Sequence, residues 1–111
     1  MRNLVLFCIL LATLRVAGNA QNATGTLAGT VRDPSNSVLP SAQVTVTNED
    51  TGLTRKVNTS GEGEFRVPFL PVGSYVVRVQ KEGFKTQVQN KIRLEILQVR
   101  AVDFSLQLGA V

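Results

Sequence analysis

The sequence predicts an all-β fold, a small antiparallel β-sandwich of about seven short strands. Three observations carry that reading. Several separate stretches alternate apolar and polar residues, which is the period of a half-buried strand. Clusters of Gly, Pro, Asn, Asp and Ser fall between those stretches at roughly 8–12-residue spacing. Beyond the amino terminus, no stretch favours a helical period over the two-residue one. At 111 residues and 12.0 kDa there is room for one small domain.

Residues 1–20 read as a secretory signal peptide, a helix removed on export. Arg2 supplies the positive n-region, and Leu4 to Leu14 is almost wholly apolar. Gly18 and Ala20 then place small residues three and one before a cut that leaves Gln21 first. An apolar run of that length reaches only ~16 Å as a helix against a hydrocarbon core of ~30 Å, so cleavage is favoured over an anchor. The single cysteine, Cys8, lies inside the run and not behind a lipidation motif at its end. The mature chain therefore has neither disulfide nor thiolate chemistry, and a small domain without staples fits best as a module attached to something larger.

Residues 21–25 form a polar leader, expected to be flexible, and the domain proper spans 26–111. Leu27, Gly29 and Val31 alternate in the first strand, where Gly29 suggests a bulge or a close backbone approach. Asp33 to Ser37 is dense in turn formers, and Pro40-Ser41 resets the chain direction. Ala42 to Thr47 is the cleanest strand, with Ala42, Val44 and Val46 facing a core. Asn48 to Gly52 reads as a hairpin turn with positive φ at Gly52, and Leu53 to Asn58 returns as an exposed or edge strand carrying Arg55 and Lys56.

The richest stretch is Thr59 to Phe84. Gly61 and Gly63 bracket the entry to a strand bearing Phe65 and Val67, Pro68 and Pro71 end it, and Gly73 opens another with Tyr75, Val77 and Val79 inward. Thr86 to Leu97 puts Val88, Ile92, Leu94 and Ile96 on one parity, broken by Asn90. Gln98-Val99-Arg100 interrupts the pattern, after which Val102, Phe104, Leu106 and Leu108 alternate to form a last strand. Phe65, Phe69, Tyr75, Phe84 and Phe104 are assigned to the core or its rim, and no tryptophan offers a sugar-stacking platform.

The chemistry on offer is sparse. Histidine is absent, which removes Ser-His-Asp and Cys-His relays and the usual zinc sites. The carboxylate pairs Glu49-Asp50 and Glu62/Glu64 lie in turns without apolar neighbours, so they read as solvated charges and not as general acids or bases. A calcium site would require Asp50, Glu62 and Glu64 to meet at one end of the sandwich, and their spacing matches no calcium loop. No catalytic, cofactor-binding or metal-ligating residue is assigned, no cofactor is expected, and an enzyme is not the expected reading. Removing the first twenty residues leaves ten basic and eight acidic side chains, a net of +2. With the basic residues scattered and no interleaved aromatics, a solvated sheet face is preferred to nucleic-acid binding.

Taken in order, G-T-V-R-D at Gly29 to Asp33, L-P-S-A-Q-V-T-V at Leu39 to Val46, N-E-D-T-G at Asn48 to Gly52, T-S-G-E-G-E-F at Thr59 to Phe65, L-P-V-G-S-Y at Leu70 to Tyr75 and E-G-F at Glu82 to Phe84 resemble one family. It is the carboxypeptidase regulatory-like domain, a transthyretin-like (prealbumin-like) β-sandwich without catalytic residues. A signal peptide placed directly before such a domain, with D-F-S-L-Q-L-G-A-V at Asp103 to Val111, resembles the amino-terminal extension of Oar-like TonB-dependent outer-membrane receptors, in which a plug and a β-barrel follow. The resemblance implies a non-catalytic interaction or structural module of the periplasm or outer membrane. Its partners would be a protein or the plug and barrel domains absent from this chain, with no nucleic acid and no membrane contact by the mature domain itself. The alternative is a stand-alone secreted domain binding polysaccharide or a surface protein through turns such as Asp33 to Leu39.

Overall fold

The computed structural model describes residues 23–109, so the signal peptide expected over residues 1–20 lies outside the described residues. Alternation in the sequence becomes eight strands: β1 Thr24–Arg32, β2 Gln43–Asn48, β3 Thr54–Asn58, β4 Glu64–Pro71, β5 Gly73–Gln80, β6 Gln87–Leu94, β7 Val99–Ala101 and β8 Phe104–Ser105. They build two sheets. One runs β4-β1-β7 with β8 also on β1, and the other runs β3-β2-β5-β6. Their inner faces close over one core. Leu27, Val31, Phe65, Val67, Leu70, Val102, Phe104 and Leu106 meet Ala42, Val44, Val46, Tyr75, Val77, Val79, Ile92 and Leu94.

The all-β sandwich expected from the sequence is therefore the observed architecture. Its first strand begins earlier than expected. Thr24 and Gly25, assigned to the leader, pair with Pro71 and Leu70 of β4. Gly25 is needed where the chain crosses between sheets, because a Cβ there would lie 2.6 Å from the Glu95 carbonyl oxygen. Gly29 serves a close approach, the second of the two roles expected for it. A Cβ at Gly29 would sit 1.9 Å from the Val102 carbonyl oxygen and 2.8 Å from the Phe65 ring.

Two bulges change which apolar residues reach the core. Along β4, Leu27 faces Val67 and Gly25 faces Leu70, so the edge strand carries one extra residue at Pro68-Phe69. β4 thus continues through Pro68, since a bulge on an edge strand is where proline is tolerated. Buried positions shift from Phe65 and Val67 to Leu70, while Phe69 takes φ 58° and stands 76% exposed. Phe69 is not a core residue. In β6, Tyr75 faces Ile92 and Val77 faces Gln89, which places an extra residue at Asn90-Lys91, with Lys91 at φ 55°. The parity reverses there. Ile92 and Leu94 are buried, but Val88 is turned outward, and Ile96 lies beyond the strand in a turn, both exposed.

The carboxy-terminal segment supplies the other departure. Its alternation is real, since Val102, Phe104 and Leu106 are buried, although Leu108 is exposed. It pairs parallel to β1, with Leu27 beside Arg100 and Val31 beside Phe104. Val99 and Arg100, read with Gln98 as an interruption, belong to a strand of their own, β7. Phe84 pairs with Leu108 and packs partly buried at the core rim, as expected.

Candidate functional site

The turn carboxylates do not assemble. Glu49 and Asp50 lie in the turn between β2 and β3, and Glu62 and Glu64 at the turn between β3 and β4. A strand's length of backbone, roughly 17 Å, separates the two turns, so the calcium arrangement that needs them at one end is not formed. Each turn uses its polar groups locally. The Ser60 hydroxyl donates to Glu62 Oε2 at 3.2 Å and accepts the amides of Glu62 and Glu64, each at 3.3 Å. Glu49 Oε1 accepts the Lys91 amide at 2.9 Å, holding the bulge of β6. All four carboxylates are exposed. Among the described residues, no group of three or more His, Cys, Asp or Glu is placed to hold a metal ion.

The loop after β1 is organised by one carboxylate. Asp33 Oδ1 accepts the Ser35 hydroxyl at 2.7 Å and the amides of Ser35 and Ser37 at 2.9 and 3.0 Å. The Ser35 hydroxyl bond, reinforced by those two amides, holds the Asp33 carboxyl below its ordinary value of 3.8. Asn36 turns the loop with φ 70°, a conformation its short amide tolerates. These donors all point inward at the loop's own carboxylate, which leaves the loop an ordered but self-satisfied turn.

Three buried polar side chains, two of them unassigned by the sequence reading, hold the frame. Tyr75 is fully buried, and its hydroxyl donates to the Pro71 carbonyl, tying the start of β5 to the end of β4. Asn48, 3% exposed, accepts the amides of Asp50 and Thr51 at 2.9 and 3.0 Å and so builds the β2–β3 turn from inside. Thr59 donates to the Leu39 carbonyl at 2.6 Å and accepts the Ala42 amide at 2.9 Å. The available signal was an Asn or Thr at a strand end next to a turn. Among the described residues no buried side-chain nitrogen or oxygen lacks a partner, so none is held in reserve for a ligand.

What concavity exists is shallow and open. On the outer face of the β4-β1-β7 sheet, small side chains at Ala28 and Ala101 leave a depression edged by Thr30, Glu64, Arg66 and Asp103. Asp103 already accepts the Thr30 amide at 3.0 Å. Such a surface can bind, and the Ser60 hydroxyl on its lining is already engaged by the Glu62 carboxylate and the Glu64 amide. Among the described residues no helix is long and apolar enough to cross a membrane.

The chain is 35% identical over 85 residues to the TonB-dependent transporter Oar of Myxococcus xanthus, covering 75% of this chain and 8% of the transporter. This chain thus corresponds to a small part of that relative's length. Among solved structures, the Bacillus anthracis TIE protein superposes with a TM-score of 0.67 at 22% identity, covering 78% of this chain and 17% of that one. Catechol 1,2-dioxygenase from Pseudomonas arvilla C-1 also superposes with a TM-score of 0.67, at 12% identity over 85% of this chain and 55% of the enzyme. At those identities the likeness concerns the fold alone. The model of the carboxypeptidase regulatory-like domain matches residues 26–107, from within β1 to past β8. The chain belongs to the carboxypeptidase regulatory-like domain family.

Proposed function

We propose that the chain is a non-catalytic β-sandwich module that forms the amino-terminal extension of a TonB-dependent outer-membrane receptor, exported through its signal peptide to the periplasmic side. The observation that carries this reading is the 35% identity to a TonB-dependent transporter, which extends over 75% of the chain. The site geometry supports the same reading. The carboxylates are dispersed and solvated, and the buried polar groups are consumed by the frame. The catechol dioxygenases share the sandwich at 12% identity, and this chain has no histidine with which to build a comparable range of chemistry.

The test is the reading frame downstream of the codon for Val111, combined with fractionation. An in-frame plug and barrel, together with antibody detection of this module in the outer-membrane fraction, is the expected result. A module recovered only from the cytoplasm, or a locus with no receptor frame, would overturn the assignment.

A further inference from the structure

The outward face of the β3-β2-β5-β6 sheet presents one sign of charge. Val44, Val46, Val77 and Val79 are buried, so Thr45 and its direct partners Lys56 and Arg78 point away from the core. Lys56, Thr45 and Arg78 form one row, with the two cations two strand spacings apart, ~9.6 Å. Ser74 and Arg93 make a second outward pair. No outward strand position of this sheet is acidic. Three carboxylates stand at its rim: Glu49 is engaged by the Lys91 amide, Glu95, past the end of β6, sits 3.6 Å from Arg93 Nε, and Glu82, in the turn after β5, lies with Lys81 beside Gln43 and Gln80 at one end of the face. Among the described residues, Lys56 and Arg78 have no carboxylate within ion-pair distance. The other sheet's outward face is mixed, with Glu64 and Asp103 beside Arg66.

We propose that this face binds an acidic polysaccharide, a chain of sugar rings bearing carboxylate or sulfate groups. Lys56 and Arg78 take acid groups on separate rings, because charge-assisted bonds to a carboxylate or sulfate are the strong contacts such cations make. The hydroxyls between and beside them, Thr45 and Thr47, both donate and accept, which matches ring hydroxyls. Two other occupants fit less well. A neutral glycan calls for an aromatic platform, and no aromatic residue takes an outward position on this sheet. A lipid surface calls for apolar side chains to insert, and Val76 and Val88 are the face's large ones. The proposal stands whether or not the chain extends a receptor.

The experiment is affinity electrophoresis of the purified chain in gels containing polygalacturonate or neutral dextran, at low and high ionic strength. Polygalacturonate should retard the chain at low salt, and dextran should not. The double variant Lys56→Ala/Arg78→Ala should weaken binding by about tenfold, the scale of losing two exposed ion pairs. The control Arg66→Ala/Lys85→Ala removes the same charge elsewhere and should stay within about twofold. All four side chains are exposed, and matching urea midpoints will confirm that both variants fold. Equal weakening by both doubles would reduce the effect to net charge and overturn the site. So would absence of retardation by polygalacturonate, or tighter capture by anionic phospholipid vesicles.

Discussion

Replacing Gly29 with alanine should destabilise the sandwich more than any other single-methyl insertion at its glycines. The added Cβ would start 1.9 Å from the Val102 carbonyl oxygen. Ordinary contact begins near 3.4 Å, so β1 and the segment before β8 must separate by about 1.5 Å. That movement stretches the 2.8 Å bond from the Val102 amide to the Ala28 carbonyl beyond useful length. It also presses on the Phe65 ring, whose centroid lies 6.4 Å from that of Phe104. A lost backbone bond costs about 1 kcal/mol and overpacking about 1–3, giving about 2–4 kcal/mol together. A domain of this size has ~4–13 kcal/mol in total, and 3 kcal/mol lowers Tm by roughly 12–24 °C. Urea unfolding can be followed by the fluorescence of Tyr75, the sole tyrosine in a chain without tryptophan. Gly61→Ala is the control, because nothing lies within 4 Å of a Cβ at that position. It should be neutral or stabilise by up to ~1 kcal/mol. A Gly29→Ala protein within ~0.5 kcal/mol of the parent would refute the close-approach argument.

Other perturbations read the same frame. Tyr75→Phe removes the hydroxyl that reaches the Pro71 carbonyl and should cost about 1–2 kcal/mol in urea unfolding followed by far-UV circular dichroism, since the variant lacks the fluorophore, whereas an unchanged midpoint would mean the tie contributes nothing. Thr59→Val strands both the Leu39 carbonyl and the Ala42 amide, so a loss of about 2 kcal/mol is expected by the same measurement. Phe69→Ser should shift stability by less than ~0.5 kcal/mol, because the ring is 76% exposed, and a core-sized loss would contradict its placement on the bulge. The Asp33 carboxyl should titrate by NMR with a midpoint below 3.8, the Ser35 and Ser37 amides moving with it. Since the folded carboxyl is the stronger acid, its stabilisation is present above the unfolded midpoint and is lost as pH falls through the folded one. A midpoint at or above 3.8 would remove the Ser35 bond as the organiser of that loop.

Strand interiors were legible because a buried face imposes a strict two-residue period. Ala42, Val44 and Val46, then Tyr75, Val77 and Val79, stand where alternation placed them. The bulges were not legible, for a physical reason. One inserted residue reverses the parity of everything beyond it, yet leaves the same apolar composition behind. Phe69 and Val88 are indistinguishable from core residues until the register is known. Proline at position 68 marks the place in β4 but reads equally well as a strand end. The last segment shows a complementary limit. Its alternation identified Val102, Phe104 and Leu106 as buried, but strand direction is set by a partner more than seventy residues earlier, which local pattern does not encode.

The same non-locality explains why scattered charges became a face. Lys56 and Arg78 are far apart along the chain and look like unrelated surface cations in sequence. Each pairs directly with Thr45, so the central strand β2 gathers them into one row. Glu62 and Glu64 look like a pair in sequence, yet they sit at a turn whose Ser60 hydroxyl engages both. Proximity in sequence thus gives turns, and proximity across the ladder gives surfaces. Among the described residues the buried polar side chains are spent on the domain's own frame, whereas the ladder sets cations side by side on an open face. That is why the outward row of β3, β2 and β5 is the stronger candidate than any of the acidic loops.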